Sequence, residues 1–342
     1  MLNYYQVRFW SLSIVIGFIL FGLGVFIFGK LNNKDIQVTY SSIPTQIVTA
    51  TPRNSTHSTG SGQASMIFVG DIMLSRSVGD TMAVKNDYLW PFRNIAEYLN
   101  SADITFANLE TPISSRGKNV GSIYSFRSDP KSIEGLTYAG FDVLSVANNH
   151  AWDWGHDAFV DTLYHLASAG IEYVGGGHNE YETHAGVIKK VGDTKVGFLA
   201  YTNLLPKSLS AVDGRAGVAV LDELQMIEDI KIMKNRAELV VVSFHWGEEY
   251  KPIHNSLQEQ IAHQAIDAGA DLIIGHHPHV VQDIQQYKGK YIVYSLGNFV
   301  FDQNWSTETM KGLSVRVWLK NNMIDRIEQI PIHISKQYQA SL

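Results

Sequence analysis

The chain has 342 residues, 45% of them hydrophobic, enough to bury a full core and to form one large domain or two small ones. A formal net charge of −6 and the lack of any Lys/Arg-dense patch argue against nucleic acid as a partner. There is no cysteine, which excludes disulfides, thiolate zinc sites and cysteine nucleophiles.

Residues 9–29 carry no charge and are rich in Ile, Leu, Phe and Val. At about 1.5 Å per residue they are long enough to cross a hydrocarbon core of about 30 Å. Lys30-Leu31-Asn32-Asn33-Lys34 follows where a cleaved leader would show a small-residue site, so residues 1–36 are expected to form an uncleaved transmembrane signal anchor. Residues 37–63 are rich in Ser and Thr, with Pro44, Pro52, Gly60 and Gly62, and read as a flexible linker. Residues 64–342 then make the folded domain. The organisation predicts a single-pass protein of the cell membrane with its folded domain extracellular.

Within that domain five short apolar runs read as buried strands: residues 65–70, 104–107, 143–147, 239–244 and 272–274. Each stops at a residue able to hold a metal ion. In order these are Asp71, then Asn108 and Glu110, then Asn148-Asn149-His150, then His245, and finally His276-His277-Pro278-His279. Helices are expected over 91–100, 130–139, 156–169, 222–236 and 256–268, three of them ending at glycine. Residues 187–191 and 195–201 flank Gly192-Asp193-Thr194 as a hairpin, and a second pairing is expected between 291–295 and 313–319. Strands alternating with helices, mixed with hairpins, predict an α/β protein of two face-to-face sheets with helices outside, a four-layer α/β/β/α sandwich.

In open α/β sheets the functional crevice lies beyond the carboxyl ends of the strands, so these donors should converge on one edge. Asp71, Asn149, His150, His245, His277 and His279 are the candidate ligands. Glu110 and Asn108 compete for a bridging position between two cations, the first having the charge and the second the nearer place to the strand. His277-Pro278-His279 on an extended segment would point both imidazoles to one side. Asp153, three residues beyond His150, is placed to orient that imidazole, which makes His150 and Asp153 the candidate catalytic pair; helix capping is the competing role for Asp153. His178, in the Gly175-Gly176-Gly177 loop, is a candidate for the site wall. Manganese, zinc or iron, one or two ions, suit such a donor set.

Six stretches carry a family resemblance: Gly70-Asp71-Ile72-Met73-Leu74, Ala107-Asn108-Leu109-Glu110-Thr111-Pro112, Ala147-Asn148-Asn149-His150-Ala151-Trp152-Asp153-Trp154-Gly155, His245-Trp246-Gly247-Glu248-Glu249-Tyr250, Gly275-His276-His277-Pro278-His279-Val280-Val281-Gln282 and Tyr294-Ser295-Leu296-Gly297-Asn298-Phe299. Over residues 66–303 the chain resembles the CapA-type poly-γ-glutamate capsule biosynthesis proteins, a branch of the calcineurin-like metallophosphoesterase superfamily. The resemblance implies the four-layer fold, a part in making or exporting poly-γ-glutamate, a polyanionic polymer as ligand, and partner subunits of a capsule synthesis complex. Arg127 matches a family position and is a candidate for binding a substrate anion. Two departures bear on the chemistry. The superfamily's opening Asp-x-His reads Asp71-Ile72-Met73 here, and its Gly-Asp second motif reads Ala107-Asn108. The first metal position is therefore expected to be weakened. The alternative function is an active metal-dependent phosphoesterase or amide hydrolase on a cell-envelope substrate.

Overall fold

The computed structural model describes residues 63–342. The expected anchor at 1–36 and all but the last residue of the linker at 37–63 lie outside the described residues. Among those described, no helix is long and apolar enough to cross a membrane.

In chain order, β1 (Ser65–Ile72) leads into α1 (Arg76–Lys85) and α2 (Ala96–Leu99), then β2 (Ile104–Leu109), α3 (Ser132–Ala139), β3 (Val143–Ser145), α4 (Gly155–Ser168) and β4 (Glu172–Val174). A short β5 (Gly176–Gly177) and α5 (Glu180–Ala185) precede the hairpin of β6 (Val187–Val191) and β7 (Thr194–Thr202). Next come β8 (Gly217–Val218), α6 (Glu223–Lys234), β9 (Leu239–His245), α7 (Ser256–Ala268) and β10 (Leu272–His276). The chain closes with β11 (Ile284–Tyr287), β12 (Lys290–Val293), β13 (Asn298–Val300), β14 (Lys311–Lys320), β15 (Met323–Ile334) and β16 (Ala340–Ser341).

One mixed sheet runs β16-β15-β14-β1-β2-β3-β4, with β13 beside the end of β1; the other runs β11-β12-β10-β9-β7-β6. The apolar runs become the parallel centres of both: β1 with β2 and β3, and β7 with β9 and β10. Every residue of β1, β2, β9 and β10 is buried, as expected of strands covered on both faces. The sheets meet face to face, with Phe106 of β2 stacked on Phe198 of β7 at 5.9 Å between ring centroids. Val240, Val242 and Ile273 of the second sheet turn the other way, into a core built with Met226 and Ile230 of α6 and Ile261 and Ala265 of α7. Val78, Met82, Leu99, Leu136, Leu163 and Leu166 cover the first sheet from α1 to α4.

Local chemistry sets the helix ends. Asp222 caps α6 by accepting from Leu224 and Gln225 N–H, and Asn255 and Gln258 form a reciprocal capping box at α7. Two sequence expectations fail. Residues 91–100 are not one helix but a 3-10 turn at Trp90–Phe92 followed by the single turn α2. There Asp87 takes the Leu89 N–H and the Nε and Nη2 donors of Arg93, closing the chain locally. Residues 291–295 do not pair with 313–319: β12 lies between β10 and β11, whereas β14 lies between β1 and β15 of the other sheet. Gly297, at φ +66°, carries the chain between the two sheets.

Two glycines immediately before donor residues permit close strand approach. A Cβ on Gly70 would stand 1.9 Å from the Gly297 carbonyl oxygen, and one on Gly275 would stand 1.9 Å from that of Tyr294. Both contacts sit beside donors, Asp71 and His276.

Candidate metal centre

Asp71 lies near the end of β1, level with Asn108 on β2 and Asn298 on β13. Glu110 follows β2 and is tied back to β1 by its N–H bonding Ile72 O at 2.8 Å. Neither carboxyl has any exposed surface. Asp71 is well partnered: Oδ1 accepts from Asn108 Nδ2 at 2.9 Å, and Oδ2 from the His277 N–H at 3.2 Å. Glu110 Oε1 accepts no hydrogen bond. Three imidazole nitrogens face it nonetheless, His279 Nε2 at 3.6 Å, His150 Nε2 at 3.8 Å and His245 Nε2 at 3.9 Å. These separations are too long for hydrogen bonds. They are close to the roughly 3–3.5 Å that separates two donors sharing an ion at about 2.1 Å from each.

A buried, unpartnered carboxylate oxygen costs several kcal/mol unless a cation answers it. The donor set supplies room for one. Asp71, Glu110 and His279 offer ligand atoms all within 4.8 Å of one another, and so do Glu110, His245 and His277. Glu110 belongs to both sets, the position of a carboxylate shared by two ions. His277 Nδ1 is a second buried atom with no partner. On these grounds the residues fit divalent metal.

The imidazoles are held from behind. His150 donates from Nδ1 to Asp153 Oδ2 at 2.7 Å, and the same oxygen takes the Phe126 N–H at 2.7 Å. The Phe126 ring stacks on His150 at 3.9 Å. His279 Nδ1 bonds Asn298 Oδ1 at 3.0 Å, leaving Nε2 toward Glu110. His245 Nε2 meets the half-buried Asn149 Oδ1 at 2.7 Å, so these two atoms stand side by side at the centre. At His150 and His279 the bond at Nδ1 leaves Nε2 free to ligate.

The His277-Pro278-His279 segment is not extended, against the sequence expectation. His277 has φ +97° and His279 φ +58°, a conformation that side chains other than glycine adopt at a cost. β10 ends at His276, and a tight bend rather than strand alternation brings both rings to the centre, their centroids 5.7 Å apart.

Burial acts to raise the Asp71 carboxyl, but the neighbouring histidines, His276 and His279 first and then His245, hold the group well below its usual value. His276 Nδ1 stands 3.2 Å from Asp71 Oδ1. Glu110 moves the other way, pushed well above its usual value by burial and then by the negative charge of Asp71 and Glu249. Burial, followed by the nearby His277, lowers His245 far below its usual value; burial and His279 lower His277 to about 3. At neutral pH these two imidazoles are therefore neutral, the form that binds metal.

Asn108 turns its nitrogen toward the acids: besides Asp71, Nδ2 lies 3.4 Å from Glu110 Oε2 and 3.2 Å from His245 Nδ1. Its oxygen takes Asn148 Nδ2 at 3.0 Å. Between Asn108 and Glu110, the free oxygen belongs to Glu110. Met73, where the superfamily has histidine, is fully buried with its sulfur occupied by the Ser75 N–H and hydroxyl.

Arg127 and His178 are not brought to the donors. The Arg127 guanidinium lies 3.5 Å over the Trp154 ring and donates to Arg116 O, beside the His150 loop rather than within the centre. His178 is exposed, with its N–H on Glu182. Sequence reasoning missed the backing residues Phe126 and Asn298, and Arg76, which pairs with Asp302 and lies 5.0 Å from the Phe126 ring. Asn298 was visible in the Gly297-Asn298-Phe299 motif; Phe126 and Arg76 carried no local signal.

A family model described as bacterial capsule synthesis protein PGA_cap matches residues 65–303. The PGA biosynthesis protein CapA of Bacillus subtilis is 36% identical over 85% of this chain and 76% of its own length. The capsule biosynthesis protein CapA of Bacillus anthracis is 34% identical over 79% of this chain and 67% of its own. Among solved structures, Haemophilus influenzae NAD nucleotidase is similar at a TM-score of 0.50 and 11% identity, covering 82% of this chain and 59% of that one. That likeness concerns the fold alone, an α/β architecture with mixed sheets like that of metallophosphoesterase-like nucleotidases. The matched span of the family model holds all the donors above, and the chain belongs to the bacterial capsule synthesis protein family PGA_cap.

Proposed function

We propose that the protein takes part in making or exporting poly-γ-glutamate at the cell surface, as a membrane-anchored, extracytoplasmic component that carries a metal site. Family membership supports the polymer, and the relatives' names speak of PGA and capsule biosynthesis. The anchor and outward orientation rest on residues 1–63 as read from sequence. The observation that carries the metal reading is the buried Glu110 oxygen, unpartnered and ringed by three imidazole nitrogens. Asp71, Glu110 and His279 would hold one ion, and Glu110, Asn149, His245 and His277 the other. Manganese, zinc or iron bound there would supply Lewis-acid polarisation of an anionic or carbonyl group. The polymer, an anion at neutral pH, and other subunits of a synthesis complex are the expected partners.

A second reading, hydrolysis of a phosphoester or amide, is favoured by one detail. His150 is fixed by Asp153 and Phe126 with Nε2 turned to the centre, the arrangement of a positioned proton donor or acceptor.

The test is replacement of the wild-type gene by His277→Ala/His279→Ala in the producing cell, with surface polymer and protein level measured together. Loss of polymer with the protein still present at the membrane supports the reading. Normal polymer from a protein without metal refutes it. A carbonate wash that releases the full-length chain, or a mature protein beginning within residues 37–63, refutes the anchor.

A further inference from the structure

We propose that Glu249 is a third carboxylate of this centre, reaching from the solvent side to one histidine of each donor set; this rests on the metal reading above. Glu249 lies in the turn after β9, four residues beyond His245, and is exposed where Asp71 and Glu110 are fully buried. Its carboxylate and donor nitrogens of His277 and His279 all lie within 4.8 Å of one another. His277 also belongs with Glu110 and His245, and His279 with Asp71 and Glu110. Glu110 and Glu249 thus address the same two imidazoles, one from the buried side and one from the open side.

An independent observation points to a ligand there. His277 is only 6% exposed, and its Nδ1 has no hydrogen-bond partner. The backbone ties the two segments together: the Tyr250 N–H donates to Pro278 O at 2.8 Å, so the turn carrying Glu249 is fastened to the bend carrying both histidines. A further donor also answers the deficit left by Met73, whose sulfur is engaged by Ser75. Carboxylate oxygen is a harder ligand than the thioether and better matched to manganese or iron.

The experiment compares full-length wild type, Glu249→Gln and Glu248→Gln, each stripped of metal and titrated with manganese alone. Stoichiometry and affinity are read by calorimetry, and folding by circular dichroism. Glu248 is the control, being adjacent, equally charged and exposed, but a member of none of the three sets. The expected result is a loss of about 10-fold or more in affinity for at least one ion in Glu249→Gln, with Glu248→Gln within about 2-fold of wild type. Unchanged affinity in Glu249→Gln overturns the proposal. So do equal losses in both variants, which would trace the effect to general negative charge; both outcomes leave the metal reading standing. Wild type that takes up neither manganese nor, in a parallel titration, zinc overturns that reading and this inference with it.

Discussion

Among the buried carboxyls that face histidine, Asp229 and Glu110 are treated in opposite ways. Asp229, on α6, is closed: Oδ2 accepts from His184 at 2.7 Å and from the Tyr201 hydroxyl at 2.9 Å, and Oδ1 accepts from Gln225 at 2.8 Å. Glu110 is open, with three imidazoles nearby and none close enough to bond its Oε1. The first is what a buried polar cluster looks like when its role is to hold helices to a sheet. The second leaves a buried oxygen that no protein donor satisfies. Residue type does not separate them; satisfaction does.

The sharpest way to break the comparison is His277→Ala/His279→Ala. Metal retention after dialysis should be abolished, by elemental analysis, with the fold kept because both residues lie beyond β10. Manganese at about 100 times its dissociation constant should stabilise wild type by about 2.7 kcal/mol and this variant not at all. Next in size is Asp229→Ala, which strands three partners and should cost about 3 kcal/mol in urea unfolding while leaving metal content unchanged. If Asp229→Ala lost metal instead, the two clusters would not be independent. Asp153→Asn, which loosens the His150 ring, should lower metal affinity about 10-fold.

The smallest effect on stability is expected from Glu110→Gln at acid pH, where the carboxyl is protonated and the two metal-free proteins should lie within about 1 kcal/mol of each other, although metal binding is lost. Its sign depends on pH. Because the folded-state value of Glu110 is raised above the ordinary 4.5, its contribution is present below that pH and is lost as pH rises through the raised value. Metal-free wild type should therefore fall behind Glu110→Gln as the pH rises above 4.5. A wild type that gains on the variant over that range would mean Glu110 has a partner that is not seen here.

Much of the architecture was legible because its signals were local. The runs 65–70, 104–107, 239–244 and 272–274 are mostly apolar, and all became central strands with donors at their ends. Helix α1 was missed because only Val78 and Met82 of its ten residues are buried, too few to show a period. The partner of residues 291–295 was misassigned because a turn motif at Gly297 looks the same whether it joins neighbours or crosses between sheets. At the site, residue types were readable from strand ends, but backing contacts such as Phe126 to Asp153 or Asn298 to His279 join segments whose proximity only the fold determines. The bend at His277 and His279 was unreadable for a similar reason: positive φ there is imposed by the surroundings, not favoured by the residues.

The donors are divided between the sheets. Asp71, Glu110, Asn149 and His150 belong to the first and the segments following its strands, while His245, His277 and His279 belong to the second. An ion shared across that division would act as a cross-link, closing a loop of more than a hundred residues between Glu110 and His245. In the chain-entropy picture a covalent link over such a length removes about 4.7 kcal/mol of freedom from the unfolded chain. A protein with no cysteine has no disulfide to do this. Metal supply would then govern how long the folded domain survives proteases, independently of any reaction it performs.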